Sequence, residues 1–174
     1  MSPSSRHPYR VCFVCTGNIC RSPMAAAVFR ARVEEAGLGA LIEVDSAGTG
    51  GWFEGEEADG RAVETLLTSG YTSGHTARRF RQEWFAERDL VIALDRGHLR
   101  ELRALAPTPE DRAKVRLLLS HADDTGDGLD VPDPYYGDRE GFEHALALIE
   151  PAAAALLEAV RPALDNRQEA AHDR

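Results

Sequence analysis

Four short apolar runs, Arg10 to Cys15, Leu41 to Asp45, Asp89 to Leu94 and Val115 to Leu119, recur along the chain with helix-forming stretches between them. Runs that are apolar at nearly every position suit strands buried on both faces, and strands joined through helices pair in parallel. The expected fold is therefore α/β: a doubly wound, four-stranded parallel sheet with helices on both faces. Such sheets bind ligands beyond the carboxyl ends of their strands, which makes the turn after Cys15 the first place to look for a site.

The helical stretches carry their own punctuation. Ser22 reads as an N-cap with Pro23 at the first helical position, Met24 to Glu35 as the helix, and Gly37 or Gly39 as its end. Asp59 to Ser69 reads as helix with Gly70 beyond it, Phe80 to Glu87 as a short amphipathic piece, and Arg96 to Leu105 as a helix stopped ahead of Pro107. Ser120 to Gly137 is polar and turn-rich. Glu140 to Leu164 is an Ala/Leu-rich helix that Pro151 is expected to kink or divide. A chain of 174 residues suits one core, so residues 9–164 are read as one domain, and 1–8 and 165–174, polar and aperiodic, as flexible termini.

A net charge of −9 works against general binding of nucleic acid or of anionic membranes. No apolar run approaches the roughly 20 residues of a membrane span, and the opening residues lack the apolar segment of a signal peptide. The expected setting is the cytoplasm, with neither nucleic acid nor membrane as partner. All three cysteines lie between Cys12 and Cys20, too close together to staple distant parts of the chain, which favours chemistry over scaffolding. Lys114 is the only lysine among 20 basic residues, a skew that reflects base composition more simply than phosphate recognition. The acidic Glu54 to Glu57 and Asp123-Asp124 read as solvated loop charge.

Cys15-Thr-Gly-Asn-Ile-Cys-Arg21-Ser22 places a thiol and a guanidinium at the two ends of a tight loop between strand and helix. Backbone N–H groups of Thr16, Gly17, Asn18, Ile19 and Cys20 can converge on one anion, reinforced by the positive end of the following helix. Arg21 offers a planar fork that matches two oxygens of a tetrahedral oxyanion. The field that binds the oxyanion also favours the thiolate form of a cysteine, and Ser22 is near enough to offer it a hydroxyl. A proton donor is still needed. Asp133 is the candidate, because Val131-Pro-Asp-Pro-Tyr-Tyr-Gly137 flanks it with two stiffening prolines. Tyr135, Tyr136 and Trp52 are candidate apolar walls around an aryl group.

Cys12 and Cys15 form a C-x-x-C pair, but on an extended strand their side chains face opposite sides, and no second ligand pair has metal spacing. Neither a metal nor any other cofactor is expected. Cys20 is open to two readings: a partner for Cys15 in a reversible disulfide, or a buried thiol. His98, His121 and His144 read as surface or cap residues.

Val14-Cys-Thr-Gly-Asn-Ile-Cys-Arg-Ser-Pro-Met24, with the late Asp133-Pro-Tyr-Tyr136, resembles the bacterial low-molecular-weight protein tyrosine phosphatases over roughly residues 9 to 164, including Ser46-Ala-Gly-Thr49 and Gly74-His75. The resemblance implies that Cys15 attacks phosphorus to give a phosphocysteine, that Arg21 and the loop amides hold the phosphoryl oxygens, and that Asp133 protonates the leaving tyrosine oxygen and then activates water. It implies that Asn18, Ser46 and His75 form a supporting hydrogen-bond network. It also implies phosphotyrosine proteins as substrates, and a tyrosine kinase acting on Tyr135 or Tyr136 as a partner. Three rivals remain. Arsenate reductases of the same fold need further cysteines downstream, and none follows Cys20. Phosphoarginine phosphatases typically carry Thr where Ile19 stands. A phosphotyrosine-binding module would keep Arg21 and the loop but would not need Cys15 and Asp133.

Overall fold

A computed structural model describes residues 7–121 and 129–172; Asp123-Asp124, read above as solvated charge, lies outside them. Strands β1 (Tyr9–Cys15), β2 (Ile42–Gly48), β3 (Leu90–Ala93) and β4 (Val115–Leu117) form one sheet in the order β2-β1-β3-β4. Every neighbouring pair is parallel, as the alternation of apolar and helical stretches predicts.

The all-apolar character of β1 follows from its central place. Val11, Phe13 and Cys15 enter the core on one face, while Cys12 and Val14 enter the core on the other. The first face is covered by α1 (Arg21–Glu35) and α5 (Arg139–His172), with α2 (Gly60–Thr68) packed beside α5. The second is covered by α3 (Arg96–Leu105), through Leu102, and by Phe80 and by Phe85 of the 3₁₀ turn Gln82–Glu87. Phe13 is fully buried, and truncation of such a side chain to Ala costs about 3–5 kcal/mol.

Several local expectations are corrected. α1 begins at Arg21 with Cys20 as its N-cap and no side-chain cap hydrogen bond. Ser22 is therefore inside the helix, where its hydroxyl is free for other work. β2 runs on to Gly48 because Ser46, Ala47 and Gly48 pair with Phe13, Val14 and Cys15. A Cβ on Gly48 would lie 2.7 Å from the Thr16 carbonyl oxygen, so only glycine lets the two backbones approach this closely. β4 stops at Leu117 and gives way to a 3₁₀ turn, Leu118–His121.

A five-residue helix, α4 (Pro109–Ala113), is capped by the Thr108 hydroxyl, which accepts from the Asp111 N–H; it is too short to show a period in sequence. α5 is not divided by Pro151. Pro151 and Ala147, whose carbonyl loses its helical donor, are both exposed, so the missing hydrogen bond falls where the carbonyl is open to solvent. The helix carries on past Leu164 to His172. Among the described residues, no helix is long and apolar enough to cross a membrane.

Candidate active site

The strand order reverses at β1, whose two neighbours are β2 and β3, so a crevice opens beyond the carboxyl ends of β1 and β3. Cys15 closes β1 and the loop delivers Arg21 to the start of α1. Asp95, which follows β3, meets Arg21 there. Arg21 Nη1 donates to Asp95 Oδ2 at 2.8 Å and to the Val131 carbonyl at 2.9 Å. With its other oxygen, Asp95 accepts from the His98 N–H at 2.9 Å and caps α3. One carboxylate thus orients the guanidinium and starts a helix.

The loop owes its shape to Asn18, the one described non-glycine residue with a positive φ, at 60°. Its Nδ2 donates to Ser22 Oγ at 2.8 Å and to Ser46 Oγ at 3.0 Å, and its Oδ1 accepts from the Arg78 N–H at 2.9 Å. His75 Nε2 lies 2.6 Å from the Asn18 carbonyl oxygen and donates to it. Burial, the largest influence, lowers the His75 pKa. Asn18, Ser46 and His75 are thus brought together behind the loop, and Asn tolerates the left-handed backbone better than a bulkier residue. Two more bonds tie the loop to the glycine-rich segment after β2: Thr49 N–H to the Cys15 carbonyl at 2.8 Å and Gly50 N–H to the Thr16 carbonyl at 3.0 Å.

Cys15 is only 3% exposed and sits at the closed end of a cleft of about 430 Å³. Its Sγ lies 2.9 Å from Ser22 Oγ. Thr16, Gly17, Ile19, Cys20, Arg21, Trp52, Asp133, Tyr135 and Tyr136 line the same cleft. Trp52 is 73% exposed and Tyr136 91%, so they stand at the rim, whereas Tyr135 packs against Phe53 deeper in. Asp133 Oδ2 lies 3.6 Å from Arg21 Nη2, and its Oδ1 accepts from the Tyr135 N–H at 3.1 Å. A sulfur, a planar cation and a carboxyl group therefore converge on a space of ordinary ligand-pocket size with apolar walls. Cys20 is buried beside them; burial first, and the Asp59 carboxylate second, push its thiol pKa well up. Cys12 lies in the core on the far face of the sheet.

The model of the family described as low molecular weight phosphotyrosine protein phosphatase matches residues 10–166. The chain belongs to that family. A low molecular weight protein-tyrosine-phosphatase of Streptomyces coelicolor is 64% identical over 160 residues, spanning 91% of this chain and 98% of that relative. Low molecular weight protein-tyrosine phosphatase A of Mycobacterium tuberculosis is 47% identical over 150 residues, 86% of this chain and 90% of that one. Among solved structures, a protein tyrosine phosphatase from Entamoeba histolytica superposes with a TM-score of 0.85 at 31% identity, covering 89% of this chain and 98% of its own.

For this low molecular weight phosphatase, sequence reasoning overlooks Asp95, His98, Phe53 and Arg61. Asp95 had a signal, since it follows the strand beside β1 at the point where the strand order reverses. His98, read as a surface or cap residue, is instead buried, with its Nε2 2.8 Å from Thr16 Oγ1. Phe53 sits so close to the loop that a Cβ on Gly17 would meet its ring at 2.8 Å, a contact that no local pattern announces. Arg61 acts at a distance, donating to the carbonyls of Tyr135 and Gly137 at 2.9 and 3.0 Å.

Proposed function

We propose that this chain hydrolyses phosphotyrosine in proteins through a phosphocysteine intermediate, with residues 9–164 as the catalytic domain. The observation that carries the reading is the convergence of Cys15, Arg21 and Asp133 on one cleft walled by Ile19, Trp52, Phe53 and Tyr135. The Cys15 thiolate attacks phosphorus, and the bond from phosphorus to the tyrosyl oxygen breaks. Arg21 and the amides of the loop hold the non-bridging oxygens, and the uncapped start of α1 adds its positive end. Asp133 gives its proton to the departing phenolate. In the second step the Asp133 carboxylate takes a proton from water, whose oxygen bonds to phosphorus as the P–S bond breaks, releasing phosphate and restoring the thiolate.

Ser22 suits the sulfur of this cycle. Asn18 Nδ2 donates into its oxygen at 2.8 Å, and its hydroxyl proton has two acceptors within reach, the Ala47 carbonyl at 3.3 Å and, once the thiol is ionised, Cys15 Sγ at 2.9 Å. When sulfur carries negative charge it is the stronger acceptor, and the proton turns to it.

Ile19 and the aromatic walls favour an aryl phosphate over phosphoarginine. We place the protein in the cytoplasm. We also assign Tyr136, and Tyr135 beside it, as acceptors for a tyrosine kinase; the exposure of Tyr136 supports this.

Hydrolysis of p-nitrophenyl phosphate in the presence of EDTA tests the reading. Wild-type protein is expected to turn over; Cys15→Ser is expected to lose turnover and still bind phosphate. Asp133→Ala is expected to slow phenyl phosphate by about 10²–10⁴-fold and p-nitrophenyl phosphate far less. A wild-type protein that binds phosphotyrosine without hydrolysing any aryl phosphate would instead be a binding module.

A further inference from the structure

His98 stands on the first turn of α3 and is 3% exposed. Its Nε2 is 2.8 Å from Thr16 Oγ1 and 3.5 Å from Arg21 Nη2, and its Nδ1 is 3.2 Å from Asp95 Oδ1. A guanidinium only donates hydrogen bonds. The nitrogen that faces Arg21 is therefore the unprotonated one, and the proton sits on Nδ1, toward Asp95. Thr16 then donates its hydroxyl proton to Nε2, which leaves an oxygen lone pair for Arg21 Nη2 at 3.5 Å.

We propose that His98, as a neutral imidazole, is a positioning residue for the phosphate site: it orients the Thr16 hydroxyl and steadies Arg21, and so sets how tightly the cleft holds a phosphoryl group. Two further observations support this. Nδ1 is buried without a well-directed hydrogen bond, so the imidazole is a costly way to fill this space, and an aliphatic side chain would leave no orphaned donor. The charged groups that act on it are Asp95, the N-cap of α3, Glu101 from α3, Arg21 from α1 and Asp133 from the loop after Val131. Burial lowers the His98 pKa most, Asp95 opposes this, and Arg21 adds to the lowering. The ring is thus neutral at pH 7. In acid, a proton on Nε2 would oppose the guanidinium N–H, and the Thr16 hydroxyl would have to turn so that one of its two lone pairs accepts from the imidazolium, in competition with the contact to Arg21.

The inference rests on the phosphate reading of the cleft, and binding of inorganic phosphate by calorimetry, beside kcat and KM for p-nitrophenyl phosphate, tests the two separately. In His98→Ala, phosphate affinity is expected to fall and KM to rise by about tenfold at neutral pH, with kcat changed less. His98→Gln keeps an acceptor for Thr16 without titrating; it should restore most of the loss and show a shallower fall in affinity from about pH 7 to pH 5 than wild type. Ionisation of phosphate is common to both proteins, so the difference between the profiles belongs to residue 98. Unchanged affinity in folded His98→Ala, no rescue by Gln, or superimposable acid profiles would each overturn the proposal. Should the Ala variant fail to fold, the Gln profile still decides, as does Thr16→Val, which is expected to weaken phosphate to a similar degree. Wild-type protein that binds phosphate without turnover overturns the catalytic reading alone. Normal turnover with no effect at residue 98 overturns this inference alone.

Discussion

At Asn18 a backbone that few side chains tolerate and three side-chain hydrogen bonds coincide, so conformation and bonding can be separated by substitution. Asn18→Gly keeps access to the left-handed region and loses the bonds; Asn18→Ala loses both. Ala in that region costs about 1 kcal/mol or more, which for a chain of this size lowers Tm by roughly 2–4 °C per kcal/mol. Asn18→Ala is expected to melt below Asn18→Gly by that margin and to have the lower kcat/KM. Thermal melts and steady-state rates on both variants check this; equal behaviour would mean that the hydrogen bonds, not φ, shape the loop.

Between elements, the first turn of α2 secures the loop that carries Asp133. Asp59 caps α2 and grips the Arg61 guanidinium at 2.9 Å; Arg61 in turn stands over the rings of Phe142 and Tyr135 at 4.7 and 5.8 Å and donates to two carbonyls of the loop. Arg61→Met keeps the aliphatic stem and removes those bonds. Its kcat on phenyl phosphate is expected to fall by about tenfold, with a smaller loss on p-nitrophenyl phosphate, because a displaced acid matters most for a poor leaving group. A leaving-group series measures this, and an equal loss across it would mean that Arg61 does not position the acid. Arg61 also marks where sequence reading stops. The stretch from Cys15 to Ser22 is legible because strand, loop and helix start are contiguous, and Asp133 because two prolines frame it. Asp95, His98 and Arg61 come to the site through the sheet order and helix packing, distances that no local pattern encodes. The continuation of β2 through Ser46-Ala-Gly48 was hidden for a related reason: those residues look like a turn, and become strand only because β1 pairs with them.

Across the whole molecule, acid should act in two stages. His75 and His98 both have pKa values lowered from the ordinary 6.5, by burial above all. The unfolded chain therefore takes up protons first, and stability falls as pH drops from about 6.5 toward the lower folded values. Asp59 and Asp130 are held below the ordinary 3.8 by hydrogen bonds from Arg61 and Arg96; the stability they contribute is present above 3.8 and is lost as pH falls through their folded values. Urea midpoints measured from about pH 8 to pH 3 should therefore decline in both windows, and a midpoint flat down to about pH 4 would remove the histidine stage. Asp95 ties this global balance back to the cleft, since the carboxylate that orients Arg21 also begins α3. A descendant that abandoned catalysis would still be under pressure to keep Asp95, whose cap on α3 is worth about 1 kcal/mol of stability. Among diverging copies of such a gene, Asp95 should thus be slow to disappear whether or not the enzyme survives, whereas Cys15 and Asp133, which no helix needs, would be the first positions to record its loss.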